Sequence, residues 1–324
     1  MRDVFVPAVG TRIPVVGFGC GALTGTSRKD ALQLLEKAFD AGVRHFDVAR
    51  SYGYGEAEGI LGTFVKSRRA EVTITTKFGI QPPQRTSALG LAIQIGRRVV
   101  RLLPSTRKVL QRRTQTLTKS GGFNVSDARI SLETSLRELG TDFIDFYLLH
   151  DYVVADHADE DLVSFLEDAV KAGKVRSFGI GTGIDNVLRA LESQPKLCHV
   201  VQFENSILRE NMRSLPPRAA SSRLVITHGA LQSYRSVSSF LAAHSNTAKD
   251  WSKRLGVDCS QEDTISALLL NYAVEANPHG LVLFSSMKSV RVTKNAKAVL
   301  EPVFSPTQVA LFGKLVEREL KPLP

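Results

Sequence analysis

The stretch DFIDFYLLH, residues 142–150, decides the fold. From Phe143 to Leu149 it is short and apolar on both faces apart from Asp145, and it stops at His150. A run of that length reads as a strand of a sheet covered on both sides. Two other runs end in the same manner. Val43–Phe46 leads into Asp47 in HFDVARSYGYGE (45–56), with Tyr52 five residues further on, and Val72–Thr76 leads into Lys77 in VTITTKFG (72–79). Strands feeding one shared rim would gather Asp47, Tyr52, Lys77 and His150 from across more than a hundred residues of chain.

Working outward, the chain alternates between such runs and amphipathic stretches. Val4–Gly10 predicts a hairpin, and Pro14–Gly19 a first buried strand. Lys29–Phe39 has helical spacing and is followed by Gly42; Glu56–Lys66 places Ile60, Leu61 and Phe64 on one face. Ser126 is the expected cap of a helix over Asp127–Leu139, which Gly140 stops. Further strands are expected at Val175–Ile180, Cys198–Phe203, Leu224–Thr227 and Leu281–Phe284. Between and after them, helices are expected at Asp161–Ala172, Asp185–Glu192, Thr264–Ala276, Arg291–Leu300 and Thr307–Leu320. Eight strands alternating with helices in 324 residues favour an α/β (β/α)8 TIM barrel over a doubly wound sheet. The expected organisation is one barrel domain over residues 1–324, with an N-terminal hairpin and an insertion after the third strand. A barrel of this kind carries its active site at the carboxyl ends of its strands. Asp47, Lys77 and His150 fall there, as do Gln202, His228 and Ser285.

Bulk composition sets outer bounds. Apolar residues make up 43% and charged residues 23%, ordinary for a globular protein. The net charge of +10 bears on nonspecific attraction to anions rather than on fold. Cys20, Cys198 and Cys259 are widely separated and form no CxxC pair, so neither a metal site nor a disulfide framework is expected. The first residues, MRDVFVPAVGTRIP, lack the apolar core of a signal peptide, and no run is long enough to span a bilayer. These features point to a reducing, cytoplasmic setting. The oligomeric state is not legible.

The rim residues suit one chemistry. A phenol ionises near pH 10, and a neighbouring ammonium favours its ionised form. Lys77 can supply that charge, Asp47 can hold Lys77 protonated, and His150 can orient a substrate oxygen or relay a proton. Such a set protonates a carbonyl oxygen as hydride reaches the carbon, or performs the reverse. Protein side chains supply no hydride, so a nicotinamide cofactor is required.

With these residues in place the sequence resembles the aldo-keto reductase superfamily over most of its length. GVRHFDVARSYG (42–53), followed by Glu58 and Leu61-Gly62, is similar to the family's first signature. SLRELGTDFIDFYLLH (135–150) and GKVRSFGI (173–180) are similar to the next blocks, in family order. The resemblance implies a (β/α)8 barrel that uses NAD(P)(H). It implies Tyr52 as the general acid, Lys77 and Asp47 as its partners and His150 as the residue orienting the substrate. It also implies Gln202 on the nicotinamide carboxamide and His228 where an aromatic ring usually stacks on the nicotinamide. The segment SSMKSVRVTKN (285–295) resembles the one that holds the adenosine end: Ser286, Arg291 and Asn295 match, Ser285 replaces a frequent lysine, and Lys294 a frequent glutamate. Arg291 and Lys288 suit a 2′-phosphate, which favours NADP while leaving NAD open. Gly181-Thr182 stands where Ser-Asn is usual, and Asp151 where tryptophan is frequent.

Several features carry competing readings. GFGCG (17–21) and GIGTG (179–183) lack the spacing of a dinucleotide fingerprint and read as strand-end turns that let backbone approach a ligand, which brings Gly19, Cys20, Gly181 and Thr182 to the cofactor. Cys20 reads as a small buried residue rather than a nucleophile. Tyr54, Tyr152 and Trp251 are candidates for the pocket wall or for ordinary packing. Arg85–Lys119 carries nine basic residues and no acidic one; Leu89, Ile93, Val100 and Leu103 permit an amphipathic helix closed by Pro104. This basic insertion (85–122) is expected to be a solvated excursion packed on the barrel or a lid drawing in anions, with membrane attachment a further option. Nucleic-acid binding is not expected, since interleaved aromatics are missing. The activity expected is an NADP-dependent oxidoreductase interconverting a small carbonyl (aldehyde, ketone or sugar) and its alcohol. The alternative is a non-catalytic, cofactor-binding barrel acting as a sensor or interaction subunit.

Overall fold

A computed structural model describes residues 2–82, 119–120, 122–154 and 160–321 of the chain. A hairpin of Asp3–Val6 against Thr11–Pro14 precedes the main body. Eight parallel strands then follow one another around a closed barrel. They are β1 (Val16–Gly19), β2 (His45–Asp47), β3 (Thr73–Phe78), β4 (Ile144–His150), β5 (Val175–Gly181), β6 (Val200–Glu204), β7 (Leu224–His228) and β8 (Leu281–Phe284). Each pairs with its neighbour in sequence, and β8 closes on β1 through Phe284 opposite Phe18. The (β/α)8 barrel and its hairpin are therefore as the sequence predicts.

Strand alternation sorts the side chains. On β3, Thr73 and Thr75 point inward and bond His45 at 2.9 and 3.2 Å, and Lys77 follows them on the same face. Thr76 points outward and donates to Glu58 in the helix Ala57–Val65. On β4 the outward Tyr147 donates its hydroxyl to Ala128 O in the helix Val125–Leu139, 3.0 Å away. The inward Phe146 lies against His45, and His150 ends the same face. The period of two thus delivers Lys77 and His150 to the lumen from neighbouring strands.

The helices begin and end for identifiable reasons. Ser27 caps Arg28–Asp40 by accepting from Asp30 N, and Ser305 caps Pro306–Leu320 in a reciprocal arrangement with Gln308. The cap of Val125–Leu139 is Asn124, not Ser126: its side chain accepts from Asp127 N at 2.9 Å, while Ser126 lies inside the first turn. Gly140 ends that helix in the left-handed conformation, as expected.

Two stretches without a predicted form are helical. Pro217–Ser222 lies before β7, and Tyr234–Ala243 and Ser245–Leu255 lie between β7 and the helix Glu262–Ala276. The latter pair builds a second apolar core with Pro306–Leu320, in which Trp251 is fully buried with Phe312, Leu268 and Val237. Trp251 is therefore a packing residue rather than part of the pocket wall. Tyr152 is likewise buried and bonds Gln194 at 2.5 Å. No described helix is long and apolar enough to cross a membrane. Most of the insertion at 85–122, including the helix predicted before Pro104, lies outside the described residues. Residues 119–120 pair with Ile80–Gln81 as a short two-stranded ribbon.

Burial holds the His45 imidazole neutral, with its pKa lowered from 6.5 to about 4. Unfolding releases it to protonate, so its contribution to stability is complete above pH 6.5 and is lost as pH falls towards 4. At about 1.4 kcal/mol per pH unit this amounts to ~3 kcal/mol. Urea unfolding at pH 7 and pH 4.5 should show the loss, and His45→Gln should flatten the slope.

Candidate active site

The carboxyl ends of the strands surround a cavity of about 650 Å³. Asp47, Tyr52, Lys77 and His150 all line it. Asp47 ends β2 and Lys77 is the last residue but one of β3. Lys77 Nζ donates to Asp47 Oδ1 at 2.6 Å and to Val48 O at 3.1 Å, and both side chains are at least 95% buried. The other carboxylate oxygen, Oδ2, accepts from Gln202 Nε2 at 2.8 Å. The ion pair is thus satisfied on both sides, as a buried pair must be.

Tyr52 reaches the cavity from a turn. Its N–H donates to Ala49 O, and Gly53 and Tyr54 take left-handed conformations, φ 59° and 61°. A Cβ at Gly53 would lie 2.1 Å from Thr24 Cγ2, so conformation and space both require glycine. The Tyr52 ring stands edge-on to the His150 imidazole, with centroids 5.8 Å apart, and its centre is 5.2 Å from Lys77 Nζ. Gly21 lies close to the ring: a Cβ there would be 3.6 Å from Tyr52 Cε2.

The electrostatics refine the expected chemistry. Burial pushes the Tyr52 phenol above its ordinary value of 10, and this outweighs the downward pull of Lys77. Desolvation, rather than the neighbouring ammonium, is the larger effect on this phenol. Lys77 is held protonated against its own burial by Asp47 and Tyr52. Burial, reinforced by Lys77, lowers His150 to about 3, so its imidazole is neutral at physiological pH. Its Nδ1 is buried and has no partner among the described residues.

Of the other predicted residues, Gly19, Gly181, Thr182, Gln202, His228 and Ser285 line the same cavity. Cys20 does not: it is fully buried beneath the rim, its thiol bonds Phe18 O, and burial keeps it protonated. Lys288 and Arg291 line a second cavity of about 670 Å³. There Arg291 pairs with Glu262 and Lys294 with Asp263, so two of the three cations of this cavity already face a carboxylate. Ser286 bonds Lys288 N, and Asn295 is buried on the helix Ser289–Leu300. Tyr54 lines a third cavity, outside the barrel, with Arg50 and Glu58. Glu204, Gly229 and Gln232 were not singled out in the sequence, yet they border the main cavity. Glu204 was foreseeable, since it follows Gln202 on the inward face of β6.

The cavity suits a flat, hydrogen-bonding ring. Five glycines, at 19, 21, 181, 183 and 229, let backbone form much of its wall, and Gln202 offers an amide beside the ion pair. The second cavity sets Lys288 beside Arg291 and Lys294, and the carboxylates Glu262 and Asp263 that pair with the latter two line it as well.

A sequence profile described as the Aldo/keto reductase family matches residues 15–317. The chain belongs to that family. Over 98% of its length it is 26% identical to a D-threo-aldose 1-dehydrogenase from a Pseudomonas species, 97% of which is covered. It is 28% identical to the uncharacterized oxidoreductase YqkF of Bacillus subtilis (strain 168), but that match covers 55% of this chain and only 47% of that protein. Among solved structures, an aldo/keto reductase from Klebsiella pneumoniae, in complex with NADP and acetate, superposes with a TM-score of 0.68. The superposition is at 19% identity and covers 100% of this chain and 97% of the other. Family members use NAD(P)H and are oxidoreductases acting on carbonyls.

Gly53→Ala tests the turn that carries Tyr52. The left-handed φ alone costs a side chain about 1–2 kcal/mol, and Thr24 must also move. Thermal unfolding should shift down, and turnover of a carbonyl substrate should fall by more than the lost stability explains.

Proposed function

We propose that the chain interconverts a small carbonyl compound and its alcohol with NADP(H), with Tyr52 passing the proton. The observation that carries this reading is the buried Lys77–Asp47 pair set beside a phenol that faces a neutral imidazole across one cavity. The cofactor supplies or accepts hydride at its nicotinamide when bound. Gln202 would hold the carboxamide, with Thr182 beside it and His228 against the ring. Ser286, Lys288, Arg291 and Asn295 would hold the adenosine end.

In the direction of reduction, His150 and the Tyr52 hydroxyl bind the carbonyl oxygen. His150 is neutral and can donate from one ring nitrogen, while Tyr52 gives up its proton as charge develops on oxygen. Lys77 stabilises the phenolate that remains, and Asp47 holds Lys77 in place. In the reverse direction the phenolate takes the alcohol proton, so oxidation should gain with rising pH while reduction falls through the ionisation of Tyr52. His150 adds no acid limb above about pH 4, because its pKa is about 3.

Tyr52→Phe is the direct test. Cofactor binding, followed by fluorescence titration, should be unchanged, while kcat falls by roughly 10² to 10⁴, the usual worth of general acid catalysis. Near-normal turnover by this variant would reject the mechanism.

The preference for NADP is supported by Arg291 and Lys288, and Glu262 opposes it by occupying Arg291. Arg291→Ala should weaken NADPH binding by about tenfold while leaving NADH nearly unaffected. Glu262→Gln should do the opposite and tighten NADPH. Equal affinities for NADPH before and after the Arg291 change would reject this assignment.

A further inference from the structure

Glu58 is a buried carboxylate that takes no direct part in the proton transfer. It sits in the first turn of the helix Ala57–Val65, just after the turn that carries Tyr52, and is 1% exposed. Burial pushes its carboxyl up, opposed by a bond from Thr76 and by the charge of Arg50. Thr76 Oγ1 donates to Glu58 Oε1 at 2.7 Å, and Arg50 Nε stands 4.0 Å from Oε2. Among the described residues, Glu58 is the one carboxylate within ion-pair distance of Arg50. The three side chains meet outside the barrel, where Arg50 and Glu58 line the cavity that also holds Tyr54.

Each contact lies one step from the chemistry. Thr76 precedes Lys77, and strand alternation sends its hydroxyl outward to Glu58 while the ammonium enters the lumen. Arg50 stands two residues before Tyr52, at the root of the turn that contains the left-handed pair Gly53 and Tyr54. Bonds within the turn are short-range: Tyr52 N–H to Ala49 O, Tyr54 N–H to Ser51 O and Glu56 N–H to Gly53 O. The ladder between β2 and β3 extends as far as Val48, whose N–H donates to Thr75 O. Past that point, side chains meeting at Glu58 join the turn to β3. The helix that bears Glu58 is itself closely seated, since a Cβ at Gly62 would collide with Glu138 O of the helix Val125–Leu139. The carboxylate is therefore a fixed point that faces the Lys77 strand with one oxygen and the root of the Tyr52 turn with the other.

An apolar side chain at this layer would pack without the desolvation of a carboxylate, and such replacements of buried ionic groups are often neutral or stabilising. What the polar contacts add is direction, because a hydrogen bond fixes both distance and angle. Direction matters here, since a reacting group misplaced by about 1 Å can cost ~100-fold in rate. We propose that Glu58 is a positioning residue for the proton transfer, holding the Tyr52 turn in place beside Lys77 through Arg50 and Thr76. This assignment rests on the reading of Tyr52 as the proton donor.

The test follows reduction of benzaldehyde and glyceraldehyde by NADPH consumption, with Tyr52→Phe as reference. Glu58→Gln keeps an acceptor for Thr76 and removes the charge facing Arg50. Thr76→Val removes the donor and keeps the branched shape, whereas Thr76→Ser keeps the donor. Glu58→Gln and Thr76→Val should each lower kcat by roughly tenfold or more, with KM and the NADPH affinity from fluorescence titration close to those of the unmodified protein. Thr76→Ser should retain most of the turnover. The proposal is overturned if either Glu58→Gln or Thr76→Val keeps the unmodified kcat, or if Thr76→Ser is as slow as Thr76→Val. It is also overturned if NADPH affinity and melting temperature fall in step with kcat, the signature of a general loss of structure. Failure of the underlying reading looks different: a Tyr52→Phe variant that still turns over removes Tyr52 as donor and this assignment with it, whereas an inactive Tyr52→Phe beside a fully active Glu58→Gln removes this assignment alone.

Discussion

The architecture depends on one buried pair of opposite charges. Removing an ammonium and a carboxylate from water costs several kcal/mol each, and mutual attraction repays this only when the remaining bonding capacity is also met. In the barrel lumen Lys77 meets Asp47 at 2.6 Å, Val48 O takes a second ammonium proton, and Gln202 occupies the far carboxylate oxygen. Those contacts involve β2, β3 and β6, so the pair can be satisfied only when strands from both halves of the barrel are in register. The same charges set the behaviour of their neighbours. They keep Lys77 protonated, help hold His150 neutral, and oppose the desolvation of Tyr52.

Much of this was legible because strand chemistry is local. Short apolar runs ending at Asp47, Lys77 and His150 located three strands, and a period of two forces every second residue inward. Gln202, His228 and Ser285 followed from the same logic and do border the cavity. Tyr52 ends no strand, and its place comes from a turn whose glycine and left-handed neighbour gave only a weak local signal.

What the sequence concealed arises from contacts between distant segments. The helices Tyr234–Ala243 and Ser245–Leu255 are polar along much of their length, and their apolar residues make sense only against Pro306–Leu320. The pairing of Arg291 with Glu262 joins residues 29 apart on different helices, so the basic segment looked freer for phosphate than it is. Cys20 was placed at the rim by its neighbours Gly19 and Gly21, yet its side chain turns into the core. Asn124 displaced Ser126 as a cap because capping depends on the backbone just before the helix, where both residues were chemically eligible.

The closure of β8 on β1 has a temporal consequence. Gly19 and Ser285 border the same cavity although nearly the whole chain lies between them. Contacts so distant in sequence form late, because the connecting chain must lose much of its freedom before they reward it. During synthesis the Lys77–Asp47 pair can form only after β3 has emerged, gains Gln202 only with β6, and lies in a completed cavity only after β8. Catalytic competence is therefore a sign that the ring is finished: an unfinished chain can be largely folded and still have no working site.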